Sequence, residues 1–193
     1  MKNKKIKLLF VTHKFPPSVG GMENHCFELY TRISKSVDTV MLKLPDGASR
    51  VLWLLTLSRR IRRVLEADKD ITHVYFNDGL IGLCCRSVKK YSNVKTIVTF
   101  HGLDAVYPNS VYQRRIGDNL KNNIDAVIAV SSATADECLK RGAGREKVHV
   151  APNGVDLSLK NIAHDRGFLK RLEERVGIPL KGKKILVSTG RGV

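Results

Sequence analysis

"IKLLFVTHKFPPSVGGMENHCFELYTRI", Ile6–Ile33, decides the fold. Its first seven residues, Ile6–Thr12, form a mostly apolar run without turn residues, the pattern of a strand buried on both faces. Its last twelve residues begin a helix read over Met22–Ser34. Between them lies a turn with two prolines, Pro16 and Pro17, and two adjacent glycines, Gly20 and Gly21. A buried strand passing through a glycine turn into a helix is the opening unit of a doubly wound parallel sheet. Two residues without a Cβ let the backbone come close to another molecule. A helix starting there directs unpaired N–H groups and the positive end of its dipole into the same space, which suits a phosphate. A tight turn that needs glycine for its own geometry accounts for the same residues.

Working outward, the alternation continues. Strands are expected at Asp38–Leu44, Ile71–Asn77, Val94–His101, Asp125–Ser131 and Val148–Ala151, each rich in Val, Ile and aromatics. Helices are expected at Arg50–Ala67, Leu80–Tyr91, Ser110–Lys121 and Thr134–Lys140. The fold class is therefore α/β, with a Rossmann-like domain over residues 1–152. After Ala151 the polar stretch "PNGVDLSLKNIAHDRG" reads as a boundary, and the helix "FLKRLEERVGIP" stops at Gly177 and Pro179. Residues 153–182 are thus a linker and connecting helix. "KKILVSTGRGV", 183–193, reads as the first strand and glycine turn of a second, truncated domain. Such a strand has no sheet to join, so a continuation is expected after Val193.

Composition sets limits. A chain of 193 residues with 42% hydrophobic residues has enough apolar material for one core and some extra. The cysteines Cys26, Cys84, Cys85 and Cys138 lack C-x-x-C spacing, and no leader precedes the first strand, which points to reduced thiols in the cytoplasm. The longest apolar run, Val51–Leu57, is too short to span a bilayer. Against 18 Asp and Glu stand 34 Lys and Arg, a formal +16 that attracts polyanions without choosing among nucleic acid, anionic lipid and phosphorylated small molecules.

In an open parallel sheet, ligands gather at the carboxyl ends of the strands. Those ends carry "THKFPPSVGG", "FNDG" (Asn77, Asp78, Gly79), "TFHGLDAVYPN" (His101, Gly102, Asp104), "VSSATAD" and "APNGVD". There is no G-x-G-x-x-G with an acidic residue for a ribose, no P-loop lysine pattern and no G-x-S-x-G elbow. No cluster has metal-ligand spacing, so no metal is expected. Nucleic-acid binding rests on charge alone, without a recognition motif or basic–aromatic interleaving.

"FPPSVGGMENHCFELYTRI", "TFHGLDAVYPN", "AVIAVSSATADECLKRG", "VHVAPNGVDL", "RLEERVGIP" and "ILVSTGRGV" stand in the order that resembles family 4 of the retaining GT-B glycosyltransferases. The resemblance runs from the first strand to the last residue. It implies two Rossmann-like domains gripping a UDP- or GDP-linked sugar as co-substrate, with the N-terminal domain supplying the side for a glycan or lipid-linked acceptor. It sets Gly20 and Gly21 beside the donor diphosphate. His101 matches the histidine beside the donor sugar, and Asp104 belongs to the same "HG-x-D" segment, so both are the candidate catalytic residues. An aspartate at that position also caps a turn. Arg191 matches an arginine that reaches the donor phosphates. Asn153 and Asp156 match the "PNGVD" hinge. The family's paired glutamates and the lysine after its arginine are not in this sequence. The chain alone is therefore expected to be nearly inactive, either as the N-terminal half of an enzyme or as a non-catalytic acceptor-binding half or truncated remnant needing a separate donor domain.

Glu23 and His25 fit the same turn without a catalytic role. His13, His73, His149 and His164 read as structural or surface residues, and Cys84 and Cys85 as packing. Ser131, Ser132 and Thr134 suit a helix N-cap. Around Arg50–Ala67, at about 100° per residue, Leu54, Leu57, Ile61, Val64 and Leu65 face the sheet. Arg59, Arg60, Arg62 and Arg63 lie opposite, with Leu52 in their arc and Trp53 at its edge. That face suits either plain solvent, as a solvated basic face with a stray apolar pair, or an anionic membrane surface at the inner side of the membrane.

Overall fold

The computed structural model describes residues 5–154 and 167–186. The chain divides into two units at Asn153–Gly154. The first is built on a six-stranded, all-parallel sheet of β1 (Lys7–Thr12), β2 (Asp38–Lys43), β3 (His73–Phe76), β4 (Lys95–Phe100), β5 (Ala126–Ala129) and β6 (Val148–Val150). Their spatial order is β2-β1-β3-β4-β5-β6. The chain therefore leaves β1 outward to β2 and crosses back to β3, and the order reverses between β1 and β3.

Right-handed crossovers turn that order into two unequal layers. The outward step carries α1 (Gly21–Ile33) on one face. The returning steps carry α2 (Arg50–Ala67), α3 (Gly79–Gly82), α4 (Cys85–Val88), α5 (Leu103–Val106), α6 (Ser110–Asn122) and α7 (Ser132–Lys140) on the other. The two-residue period of β1 serves both: Leu9 and Val11 join the large core under α2 to α7, while Leu8 and Phe10 pack with Cys26 and Tyr75 under α1.

The six strands expected in the first unit are present, and so are its long helices apart from the one over Leu80–Tyr91, α2 with the same limits. Three details differ. The single helix expected over Leu80–Tyr91 is two short ones, because amide bonds from Leu83 to Leu80 and from Cys84 to Ile81 tighten the turn between them. The four-residue α5 is too short to leave a periodic signal, and it opens on Gly102, whose φ of 107° only glycine adopts readily. Trp53 is not at the edge of the arginine arc: it is 2% exposed and stacks in the core stripe with Leu57, Ile61 and Leu65, four residues apart along one side of α2. Val51, Leu52 and Leu55 are the large apolar residues that α2 exposes.

In the second unit, α8 (Phe168–Val176) ends on Gly177 in the left-handed conformation, φ 71°, with the Gly177 amide bonded to the Glu173 carbonyl. Lys183–Leu186, where a strand is expected to begin, form none, and the described part of this unit offers no second strand to pair with. Asp156, His164, Arg191 and the rest of that expected strand lie outside the described residues.

Candidate functional site

Every strand being parallel, the loops after β1, β3 and β4 leave the same edge of the sheet, and the reversal between β1 and β3 opens a crevice there. His13 directly follows β1, Asn77 and Asp78 follow β3, and His101 follows β4. The Asn77 amide still bonds the Val11 carbonyl, so β1 and β3 stay in register to the rim.

These groups form one connected network. His13 is buried, and its Nε2 lies 2.6 Å from Asp78 Oδ2. Arg50, the first residue of α2, donates its Nε–H to His13 Nδ1 at 3.0 Å. A nitrogen that accepts cannot carry the proton, so the ring proton sits on Nε2 and is donated to the carboxylate. Asp78 Oδ1 accepts the Ile81 amide and so caps α3. Burial pushes this carboxyl upward, but the bonds from His13 and Ile81 outweigh it and hold the group below the usual carboxylate range.

The next residue, Gly79, donates its amide to Asp104 Oδ2 at 2.9 Å, and His101 donates its own amide to Asp104 Oδ1 at 2.8 Å. Asp104 thus ties the ends of β3 and β4 together with both oxygens. Burial raises its pKa despite those two amides. Gly79 is where close approach demands glycine: a Cβ there would meet Phe100 Cε1 at 2.7 Å and the Tyr112 hydroxyl at 2.8 Å. That hydroxyl donates to the Asp104 carbonyl at 2.6 Å.

His101 completes the rim. Its Nε2–H donates to the Asn77 carbonyl at 2.8 Å, and its ring meets that of His25 edge-to-face at 5.2 Å. This contact brings the second turn of α1 against the end of β4. Burial, then His101, holds the His25 imidazole below its ordinary range, so it is neutral near pH 7. Two buried polar atoms here have no protein partner among the described residues: His25 Nε2 and Asn77 Nδ2. Trp53 Nε1 and Asn119 Oδ1, in the core under the helices, are unpartnered in the same way, and buried water is the common partner of such groups.

The turn with the two glycines flanks this cluster. Gly20 is extended, φ 169°, a conformation any residue adopts, and a Cβ on Gly21 would meet nothing within 4 Å. The backbone of the pair and the space around Gly21 therefore do not call for glycine. The helix they open has no side-chain cap, whereas α2, α3, α6 and α7 are capped by Ser49, Asp78, Asn109 and Ser131. Glu23, in the first turn of α1, is buried against Lys14, 3.3 Å away. Among the described residues, no three His, Cys, Asp or Glu side chains are grouped to hold a metal ion.

Of the residues singled out in the sequence, Gly20 and Gly21 lie in the turn that opens α1, and His101 and Asp104 lie inside the network. His13, read there as structural or surface, stands at the switch point itself; its position just past the first strand was the available signal. Its partners, Asp78 and Arg50, are 65 and 37 residues away in sequence, so no local pattern announces them.

The comparisons with known proteins bear on the fold and the family. No curated protein matches the sequence. Among solved structures, Anabaena HepE in complex with UDP is similar with a TM-score of 0.66 at 17% identity, over 89% of this chain and 50% of that one. Staphylococcus aureus MnaA, also with UDP, gives a TM-score of 0.57 at 13% identity, over 86% and 50%. The lipopolysaccharide outer core galactosyltransferase WaaB, in its apo form, gives 0.51 at 16%, over 79% and 47%. At these identities the likeness establishes the fold, and the chain spans about half the length of these structures. The model of Glycosyltransferase Family 4 matches residues 19–159, from the glycine turn through all six strands but the first. The chain therefore belongs to Glycosyltransferase Family 4.

Proposed function

We propose that this chain provides the acceptor-side domain of a retaining glycosyltransferase that moves a sugar from a UDP- or GDP-linked donor to a glycan or lipid-linked acceptor. The observation that carries this reading is the uncapped start of α1 at Gly20–Gly21, with free space at Gly21, next to the His25–His101 pair and its two orphaned polar atoms. The amides suit the donor diphosphate, and the histidine pair with Asn77 suits sugar hydroxyls. His101 is the residue proposed to touch the sugar. Asp104, with both oxygens engaged by amides, is a positioning residue that fixes the His101 backbone.

Catalysis in this reading rests on holding two substrates together and stabilising charge on the departing phosphate. Arg191 and a second domain, in the same chain or another, supply the remaining donor contacts. The chain alone is accordingly expected to show little or no transfer, since each lost contact worth about 1.4 kcal/mol in the transition state costs about tenfold in rate. Titration of UDP- and GDP-sugars into the chain, alone and with a donor domain supplied, tests the reading. Binding of one nucleotide class and transfer only with the donor domain are expected; no binding in either arrangement overturns it.

The proposed place of action is the inner surface of a membrane. No described helix is long and apolar enough to cross one. On α2, Val51, Leu52 and Leu55 are 66%, 65% and 77% exposed, and Arg59, Arg62 and Arg63 follow on the same side, with Arg60 beside them. Exposed apolar groups leading into arginines fit an anionic bilayer, each basic group contributing about 1 kcal/mol. Salt-sensitive binding to anionic but not neutral vesicles is expected, weakened when Arg59, Arg60 and Arg63 become glutamine. Equal binding to both vesicle types, or none, favours a soluble acceptor.

A further inference from the structure

At the amino edge of the sheet, opposite the crevice, a cavity of about 300 Å³ is lined by the end of α2 and the turn that leads into β4. Ile71 and Val94 stand just before β3 and β4, and with Leu65 of α2 they form its floor. All three are buried. Tyr91 is a wall. Its ring packs against the large core, and its hydroxyl donates to Glu66 Oε1 at 3.1 Å. The Val94 amide bonds the Tyr91 carbonyl at 3.0 Å and closes the turn. The apolar part of the cavity is therefore held in place before a ligand arrives, which lowers the cost of binding. Its volume stands at the lower end of ligand pockets, about 300–1,000 Å³, and admits a single ring rather than a nucleotide.

The polar groups around that floor are sorted by chemistry. Asp68 is the carboxylate of the lining, and it is already engaged: Lys7 Nζ lies 2.8 Å from its Oδ2, and the Asp70 amide bonds its Oδ1 at 3.1 Å. The side chains of Lys90, Ser92 and Asn93 have no partner among the described residues, and neither do the amides of Ser92 and Asn93. Lys69 adds a second cation, its Nζ 5.9 Å from the centre of the Tyr91 ring. The unengaged groups are thus chiefly N–H and O–H donors, two of them carried by ammonium groups. An anion with paired acceptor oxygens satisfies such a set. An apolar floor with donors along its rim fits a flat apolar body that ends in an anionic group.

We infer that this cavity binds a small aromatic carboxylate, its ring on the apolar floor beside Tyr91 and its carboxylate on Lys90 and the Ser92–Asn93 turn. The site lies at the other edge of the sheet from the proposed donor position and does not depend on the glycosyl-transfer reading.

The test titrates the whole chain with benzoate, benzyl alcohol and acetate, followed by calorimetry and by amide chemical shifts. Benzoate is expected to bind more tightly than either, since benzyl alcohol lacks the charge and acetate lacks the ring. The largest shifts should fall on Ile71 and on Tyr91–Val94. Lys90 is exposed and has no partner to lose. Lys90→Gln should therefore fold normally, weaken benzoate roughly tenfold through the loss of one charge-assisted hydrogen bond, and leave benzyl alcohol unchanged. Tyr91→Ala should weaken both ring compounds, and Tyr91→Phe, which keeps the ring, should restore them. Absence of benzoate binding overturns the site. Equal affinity for benzoate and benzyl alcohol overturns the carboxylate, and equal affinity for benzoate and acetate overturns the ring slot. Wild-type benzoate affinity in folded Lys90→Gln, or shifts confined to the loops at the carboxyl edge, overturns the assignment to this cavity.

Discussion

The turn from β1 into α1 and the turn from β5 into α7 do the same topological task in opposite ways. After β5 the chain needs only Val130 before Ser131 caps the helix, its Oγ accepting the Thr134 amide. After β1 it runs from His13 to Gly20, with a cis bond between Pro16 and Pro17, and begins a helix with no side-chain cap. One turn caps its helix with its own hydroxyl, and the other begins its helix without a side-chain cap. The comparison teaches that a glycine or a serine before a helix is uninformative until its hydrogen bonds are known. Ser131 closes a structure, whereas Gly20 and Gly21 leave one open.

Glycine substitutions break the comparison most sharply. Gly79→Val should prevent folding or destabilise by more than about 3 kcal/mol, because its Cβ already collides with Phe100 and Tyr112 and overpacking by a single group costs about 1–3 kcal/mol. Gly21→Val, facing open space, should leave thermal unfolding within a few degrees of wild type. In the enzyme with its donor domain it should weaken nucleotide-sugar binding roughly tenfold or more, since the side chain takes up room near the helix amides. Unchanged donor affinity in that variant would make the turn purely structural.

A smaller effect sharpens the contrast between caps and ties. Asp104→Asn turns an amide NH2 toward either Gly79 or His101, so one buried donor loses its acceptor at about 1–3 kcal/mol. Ser131→Ala removes one cap at about 1 kcal/mol. Urea unfolding should rank them in that order. Only Asp104→Asn should also impair transfer by the complete enzyme. Equal loss of activity in both would remove the positioning role of Asp104.

The smallest effect concerns pH. Burial and His101 depress the His25 pKa from 6.5, so between that value and its lower folded value the unfolded chain binds a proton that the folded one refuses. Stability should therefore fall as pH drops below about 6.5, and His73, depressed by burial and Lys95, acts in the same direction. Thermal unfolding from about pH 7 to about pH 5 should lose part of this slope in His25→Gln. An identical slope would assign the effect to His73 alone.

The parallel α/β fold was legible because strands buried on both faces must be continuous apolar runs, and because Ser49, Asn109 and Ser131 mark helix starts by chemistry local to each turn. The rim position of His101 and Asp104 was legible for the same reason: they follow a strand end. Tertiary structure alone decided the rest. It buried Trp53, because a ring at the edge of a helical stripe lies on whichever side has room. It broke the helix after β3, and it joined His13 to Asp78 across 65 residues and to Arg50 across 37. Hydrophobic periodicity is a property of neighbours in sequence and reports burial. A hydrogen-bonded site is made by strand ends that meet only after the sheet has ordered them, and no periodicity encodes which of those ends will face each other.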